Sequence, residues 1–271
     1  MSLSQKINPI ATIIIIISTV IIICALIWHF RISESYFLWS HFSLEKIATT
    51  LNSDDSSLFL EIGNDYFGHG KTYDVKKAEV AYIRAIEIRP DFLEAHYQLG
   101  RIHFINGKFT SALTEIAIVL RIDPNFKKAY YMHGLINGYK GDLDAAIWGF
   151  SEFIKRDDFN WAGYNDLAWI YFKKGDYQKM KEAAEKGLTH AERNPWLNNI
   201  YGTALMNLGE KEAAKTAFRI ALEESEKMTP VDWGKSYPGN NPQIYSRGLE
   251  ETRSVIKYNL SLLESPSENH F

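Results

Sequence analysis

The chain reads as an all-α protein: a right-handed α-solenoid of helix pairs, behind an N-terminal transmembrane helix and closed by a C-terminal capping helix. Three features of the 271 residues predict it. Glycines follow apolar helical stretches at a fixed interval, with Gly107, Gly141, Gly175 and Gly209 each 34 residues apart and Gly70 standing 37 before Gly107. A run without a charged residue extends from Pro9 to Trp28. After the last repeat, Leu249, Thr252, Ile256 and Leu260 or Leu263 recur at helical spacing, the pattern of a helix with one buried face.

The uncharged run comes first. Roughly 20 apolar residues at about 1.5 Å rise span the ~30 Å hydrocarbon core of a bilayer, which predicts an anchor over residues 10–30 after a short tail (1–9). Trp28, Phe30, Tyr36 and Trp39 follow it, as interfacial side chains do. A cleaved signal peptide would have a shorter apolar region ending in small residues, whereas this run ends Ala25-Leu-Ile-Trp28. Lys6 before the span nearly balances Arg31 and Lys46 after it, so the positive-inside comparison is close. A short tail favours the cytoplasmic side, which places the repeats outside the cytoplasm (periplasmic in a Gram-negative cell), with a cytoplasm-facing domain as the alternative. Residues 31–55 read as a juxtamembrane amphipathic helix or an orphan half-repeat.

Around each spaced glycine the pattern repeats. Seven residues earlier stand Gly63, Gly100, Gly134, Ala168 and Gly202, and later come Ala78, Ala112, Ala146, Met180 and Ala214, then Tyr82, Ile116, Phe150, Ala184 and Phe218. Two helices per unit cannot bury their apolar faces alone, so units stack into one core. The late glycine ends the first helix in a left-handed conformation, and small residues let the paired helices approach while rings fill the space opposite. Pro90 and Pro124 end second helices, since a residue before proline leaves the α region.

The stretch Ala95-His-Tyr-Gln-Leu-Gly100, with Phe104, Gly107, Phe109, Ala112, Ile116 and Asp123-Pro124, resembles the tetratricopeptide repeat (TPR). The register divides the chain into five units, 56–92, 93–126, 127–160, 161–194 and 195–228, then a loop over 229–243, a capping helix over 244–264 and a disordered tail over 265–271. The pattern departs from the family at Asp158, Glu192 and Glu226, where a proline is usual, and at Phe153 and Met180, where alanine is usual; the bulk at those two predicts local widening between helices. Residues 71–73 are inserted in the first unit.

Composition narrows the function. A net charge of −3 argues against nucleic acid, which needs clustered basic residues. Cys24, the single cysteine, lies in the apolar run, which removes disulfides, thiolate metal sites and a thiol nucleophile from the remainder. Gly68-His-Gly-Lys-Thr72 lacks the glycine and the preceding strand of a phosphate loop. His96, His103 and His133 fall at inward-facing positions, and no nearby carboxylate is visible to complete a ligand set. No cofactor, metal or catalytic residue is predicted.

The resemblance implies a protein-binding scaffold whose first helices line a concave groove. Helical geometry puts Asn64, Glu94, Tyr97, Arg101, Phe104, Lys128, Tyr131, Tyr139, Asn165, Trp169, Phe172, Asn199 and Thr203 on that face. Partners are then proteins or peptides, held by rings and amides. A TPR subclass grips C-terminal carboxylates with a Lys/Asn/Arg clamp; Asn64 and Lys128 match it, but Leu60, Gln98 and Met132 replace the other members, so that mode is not implied. Trp233 and Tyr237, after the fifth unit, stand where a loop folding back would mask the groove.

Overall fold

The computed structural model describes Thr19, residues 54–69 and residues 72–264. The predicted span over 10–30, nearly all of the 31–55 segment, Gly70, Lys71 and the tail from 265 lie outside the described residues. Among the described residues, no helix is long and apolar enough to cross a membrane.

Ten helices form five antiparallel pairs: α1 (Ser56–Asn64) with α2 (Val75–Ile88), α3 (Leu93–Ile105) with α4 (Phe109–Ile122), α5 (Lys127–Lys140) with α6 (Leu143–Arg156), α7 (Trp161–Lys174) with α8 (Tyr177–Leu188), and α9 (Pro195–Asn207) with α10 (Lys211–Lys227). Two more follow, α11 (Pro230–Ser236) and, after a 3-10 turn at Pro242–Ile244, α12 (Tyr245–Glu264).

The first helices of the last four pairs end at glycines in the left-handed region: Gly107 (φ 71°), Gly141 (97°), Gly175 (71°) and Gly209 (82°). The first pair differs. Its helix runs into a π turn over Asp65–His69, with Gly68 at φ 143°.

Within a pair, a small residue on the first helix faces a ring on the second. A Cβ on Gly134 would lie 2.8 Å from Phe150, and one on Gly202 2.8 Å from Phe218, while Tyr82 presses on Gly63 in the same way. Gly149 faces the backbone of Gly134 itself, leaving 2.6 Å for a Cβ. The fourth pair inverts the arrangement: Ala168 has its methyl, the second helix offers Ala184, and Met180 fills the gap, all fully buried.

The expected widening at Phe153 has a different resolution. Gly163 on α7 makes room for the ring, with 2.7 Å between a notional Cβ and Phe153. Where the terminal proline is missing, the next helix start closes the turn: Asn160 accepts from Ala162 N at 3.2 Å and Asn194 from Leu197 N at 3.0 Å, with Pro195 in the first turn.

The segment over 229–243, expected to be loop throughout, contains α11. Thr229 and Asp232 form a reciprocal capping box, and Pro230 occupies the first turn, where its missing N–H costs nothing. Helix initiation chemistry thus outweighs the Pro/Gly/Asn composition. α12 packs Ile256, Leu260 and Leu263 on the edge of α10. Arg253 donates to the carbonyls of Ser225 (2.8 Å), Glu226 (3.3 Å) and Met228 (3.1 Å) at the end of α10. α11 and α12 interlock through two glycines: Tyr245 lies on Gly234 and Trp233 on Gly248, and the Trp233 indole donates to Thr252 Oγ1 at 3.0 Å.

Gly134→Leu forces a side chain into the space of Phe150 and is expected to cost about 3 kcal/mol, at the upper end of core overpacking. Urea unfolding of the purified chain measures it; equal stability of variant and parent would contradict the glycine-to-ring register.

Candidate binding groove

The first helices line a concave surface with two adjoining cavities, of about 440 and 740 Å³. Tyr139, Asn165, Asp166, Leu135 and Trp196 border both. Toward α12 the larger one continues past Trp169, Phe172, Asn199 and Thr203 to Val255 and Asn259. Toward the N-terminal units the smaller one is walled by Tyr131 and by Lys235, Ser236 and Pro238.

Seven of the sequence-predicted groove residues come together here: Tyr131, Tyr139, Asn165, Trp169, Phe172, Asn199 and Thr203. The other six line neither cavity. Tyr97 and Phe104 are core residues, each 8% exposed, against Phe126 and against Phe109 and Tyr139. Asn64 accepts from the Tyr82 hydroxyl at 3.0 Å. Lys128 stands exposed near the Tyr97 ring, 6.0 Å from its centroid, and Glu94 is half-buried. For Tyr97 and Phe104 the cause is the ring's size: at a nominally concave position it turns into the neighbouring unit's space.

Arg101 has another task. Its guanidinium donates to Pro238 O at 2.9 Å and to Gln98 Oε1 at 2.8 Å, and stacks 4.8 Å from the Phe67 centroid. Two further bonds hold the same segment: Tyr73 hydroxyl to Gly239 O (2.5 Å) and Asn240 Nδ2 to Phe67 O (3.0 Å). Residues 237–241 therefore form a strap from α11 back to the first two units. The fold-back expected from Trp233 and Tyr237 is carried by Pro238, Gly239 and Asn240. Trp233 instead packs against α12, with Tyr237 stacked on it at 5.3 Å. Asn240 takes φ 54°, a left-handed conformation that asparagine tolerates.

Spacing gave no sign of Asp166, because an aspartate on a helix reads as a solvated face. It sits half-buried on the groove floor, accepting from the Tyr131 hydroxyl at 2.5 Å and from Asn165 Nδ2 at 3.1 Å. Burial pushes its carboxyl up to about 6, an effect that the two hydrogen bonds only partly offset. The Tyr131 phenol is raised well above its usual value, first by burial and then by the Asp166 charge. Trp161 and Trp196, stacked at 5.0 Å, complete one wall.

The histidines require a correction as well. Each of two finds a carboxylate that the spacing hid: His96 Nδ1 lies 2.6 Å from Glu115, and His103 Nδ1 3.7 Å from Glu79. The hydrogen bond to Glu115 raises His96 above the ordinary imidazole value despite burial. His133 packs on Trp148 at 4.9 Å and is lowered by burial. Among the described residues, no three His, Cys, Asp or Glu side chains are grouped to hold a metal.

Comparison with known proteins agrees with this geometry. Family profiles described as tetratricopeptide repeat match residues 60–125, 162–193 and 197–227. The chain carries tetratricopeptide repeats. Among solved structures, the TPR array resembles the MamA protein (24% identity, TM-score 0.55, covering 64% of this chain and 92% of that one). It also resembles YrrB, described as a TPR protein with an unusual peptide-binding site (13% identity, TM-score 0.53, 66% and 90%). At these identities the likeness concerns the fold. A human relative, protein O-mannosyl-transferase TMTC3, is 24% identical over 197 residues, 71% of this chain. The chain spans 21% of that relative's length. As a class, TPR arrays are scaffolds for proteins and peptides.

The raised carboxyl sets a testable pH dependence. The folded-state value of about 6 exceeds the ordinary aspartate value, so the native state holds the extra proton between the two. Stability falls as pH rises through that window, and the full cost is present above it. Asp166→Asn is therefore expected to melt above the parent at about pH 7.5, with the gain vanishing toward about pH 4. A difference independent of pH in thermal melts would show the carboxylate to be solvated.

Proposed function

We propose that this chain is a membrane-anchored scaffold that holds partner proteins or peptides in its concave groove, in the assembly or quality control of a membrane or envelope complex. The groove carries this reading. It is open, of about 740 Å³, and lined by rings and amides, groups that grip an extended peptide through apolar contacts and hydrogen bonds to its backbone. The peptide-binding site in the description of YrrB supports the same use of a similar fold. The anchor is residues 10–30, with the repeats outside the cytoplasm. The mannosyl transfer in the name of the human relative is not extended to this chain, which spans 21% of it.

A second reading, a stoichiometric subunit of one fixed complex, draws on apolar side chains exposed on second helices, Val80 (68%) and Trp148 (48%). Crosslinking and pull-down separates the two: several substoichiometric partners favour the scaffold, one stoichiometric partner the subunit.

The strap competes with a partner for the N-terminal half of the groove. Tyr73→Phe combined with Asn240→Ala removes two of its three tethers and leaves the α11–α12 lock intact. Affinity for partners recovered in the pull-down is expected to rise several-fold, since a self-masked site reduces apparent affinity by the open fraction. Unchanged affinity by titration calorimetry rules the masking out.

Topology has its own test. In intact cells, protease added outside the cytoplasmic membrane (after opening of any outer membrane) is expected to digest the repeats. Their full protection would place them in the cytoplasm.

A further inference from the structure

The chemistry of the groove floor specifies one feature of its occupant. In the larger cavity, Asp166 is the one charged side chain among the described residues of the lining. Its hydrogen bonds come from the neutral groups Tyr131 and Asn165, and no cation contributes to its environment. The cations nearby pair with other groups: Lys235 with Asp232 at 3.0 Å, and Lys173 with Gly138 O at 2.6 Å and with one face of the Trp169 ring, 4.7 Å from its centroid. A second acceptor on the same cavity, Asn199 Oδ1, is buried without any hydrogen-bond partner. A buried polar atom left unsatisfied is costly, and so is an unpaired carboxylate away from water.

A carboxylate with no cation beside it and an amide oxygen with no donor call for a donor-rich cation, and the walls set its shape. Tyr139 and Trp169 pack on one another, with centroids 5.2 Å apart and planes tilted by 41°, and both border the cavity. A guanidinium has five N–H donors in a plane, is weakly hydrated and stacks on aromatic faces. It can bridge a carboxylate and an amide oxygen at once, whereas an ammonium is a compact, strongly hydrated point charge. We propose that the groove is an arginine-reading site: an arginine side chain of an extended segment of the partner protein enters the larger cavity, pairs with Asp166, donates to Asn199 Oδ1 and lies against Tyr139 and Trp169. This rests on the groove reading above and adds its specificity.

The test uses the full chain in detergent micelles, with two of the three strap tethers removed by Tyr73→Phe and Asn240→Ala. The probes are nine-residue synthetic peptide libraries whose central residue is fixed as arginine, lysine, citrulline or alanine. Retention of the arginine library about tenfold above the citrulline library is expected, the scale of a close interfacial charge pair. Asp166→Asn should bring retention of the arginine library down to the level of the citrulline library, whereas a purely structural role for Asp166 would lower both in proportion and leave their ratio unchanged. Arginine binding should also weaken below about pH 6 as Asp166 takes up its proton; the groups facing it, Tyr131, Tyr139, Asn165 and Asn199, do not titrate there. Equal retention of arginine and citrulline, or of arginine and lysine, overturns the assignment. If binding of all libraries is equal and Tyr139→Ala removes it, the groove reading stands without its arginine specificity. If no library is retained, both readings fall.

Discussion

Close approach of paired helices is the constraint on which the other features depend. Where Gly149 meets the backbone of Gly134 and Phe150 presses on Gly134, there is no room for a methyl group. Interiors are packed as densely as organic crystals, so this contact fixes the distance between helices and, repeated along the chain, the angle between units. The fourth pair keeps the spacing with another division of volume, Ala168 and Ala184 against Met180. What is preserved is the sum of volumes, not the identity of the glycine.

The C-terminal closure follows from the same economy of space. Two glycines, Gly234 and Gly248, receive Tyr245 and Trp233, and Arg253 donates to three carbonyls at the end of α10, where helical partners run out. From α11 the chain leaves at Tyr237 and runs back to the first two units. There Arg101, Tyr73 and the Phe67 carbonyl hold it. Closure of the last repeat and access to the concave surface are thus one structural question.

Under the proposed use of the groove, Asp166 marks where stability and binding pull apart. A carboxylate lifted to about 6 by burial is a cost the fold does not recover from any internal cation. Such unrecovered costs gather at sites that await a partner. The unsatisfied Asn199 oxygen on the same cavity belongs to the same pattern.

Periodicity alone determined the helix pairs and the left-handed glycines at Gly107, Gly141, Gly175 and Gly209, because these are local or repeat with the chain. It determined about half of the groove for the same reason: Tyr139, Asn165, Trp169 and Asn199 occupy repeat positions whose direction helical geometry fixes. Tertiary structure decided the rest. Whether a ring such as Tyr97 or Phe104 faces the groove or fills the adjacent unit depends on the volume left by residues some 30 positions away. The strap bonds span 137 to 173 residues, and no local pattern encodes them. Asp166 looks like any solvated aspartate until its neighbours remove the water, and that desolvation exists only in the folded array.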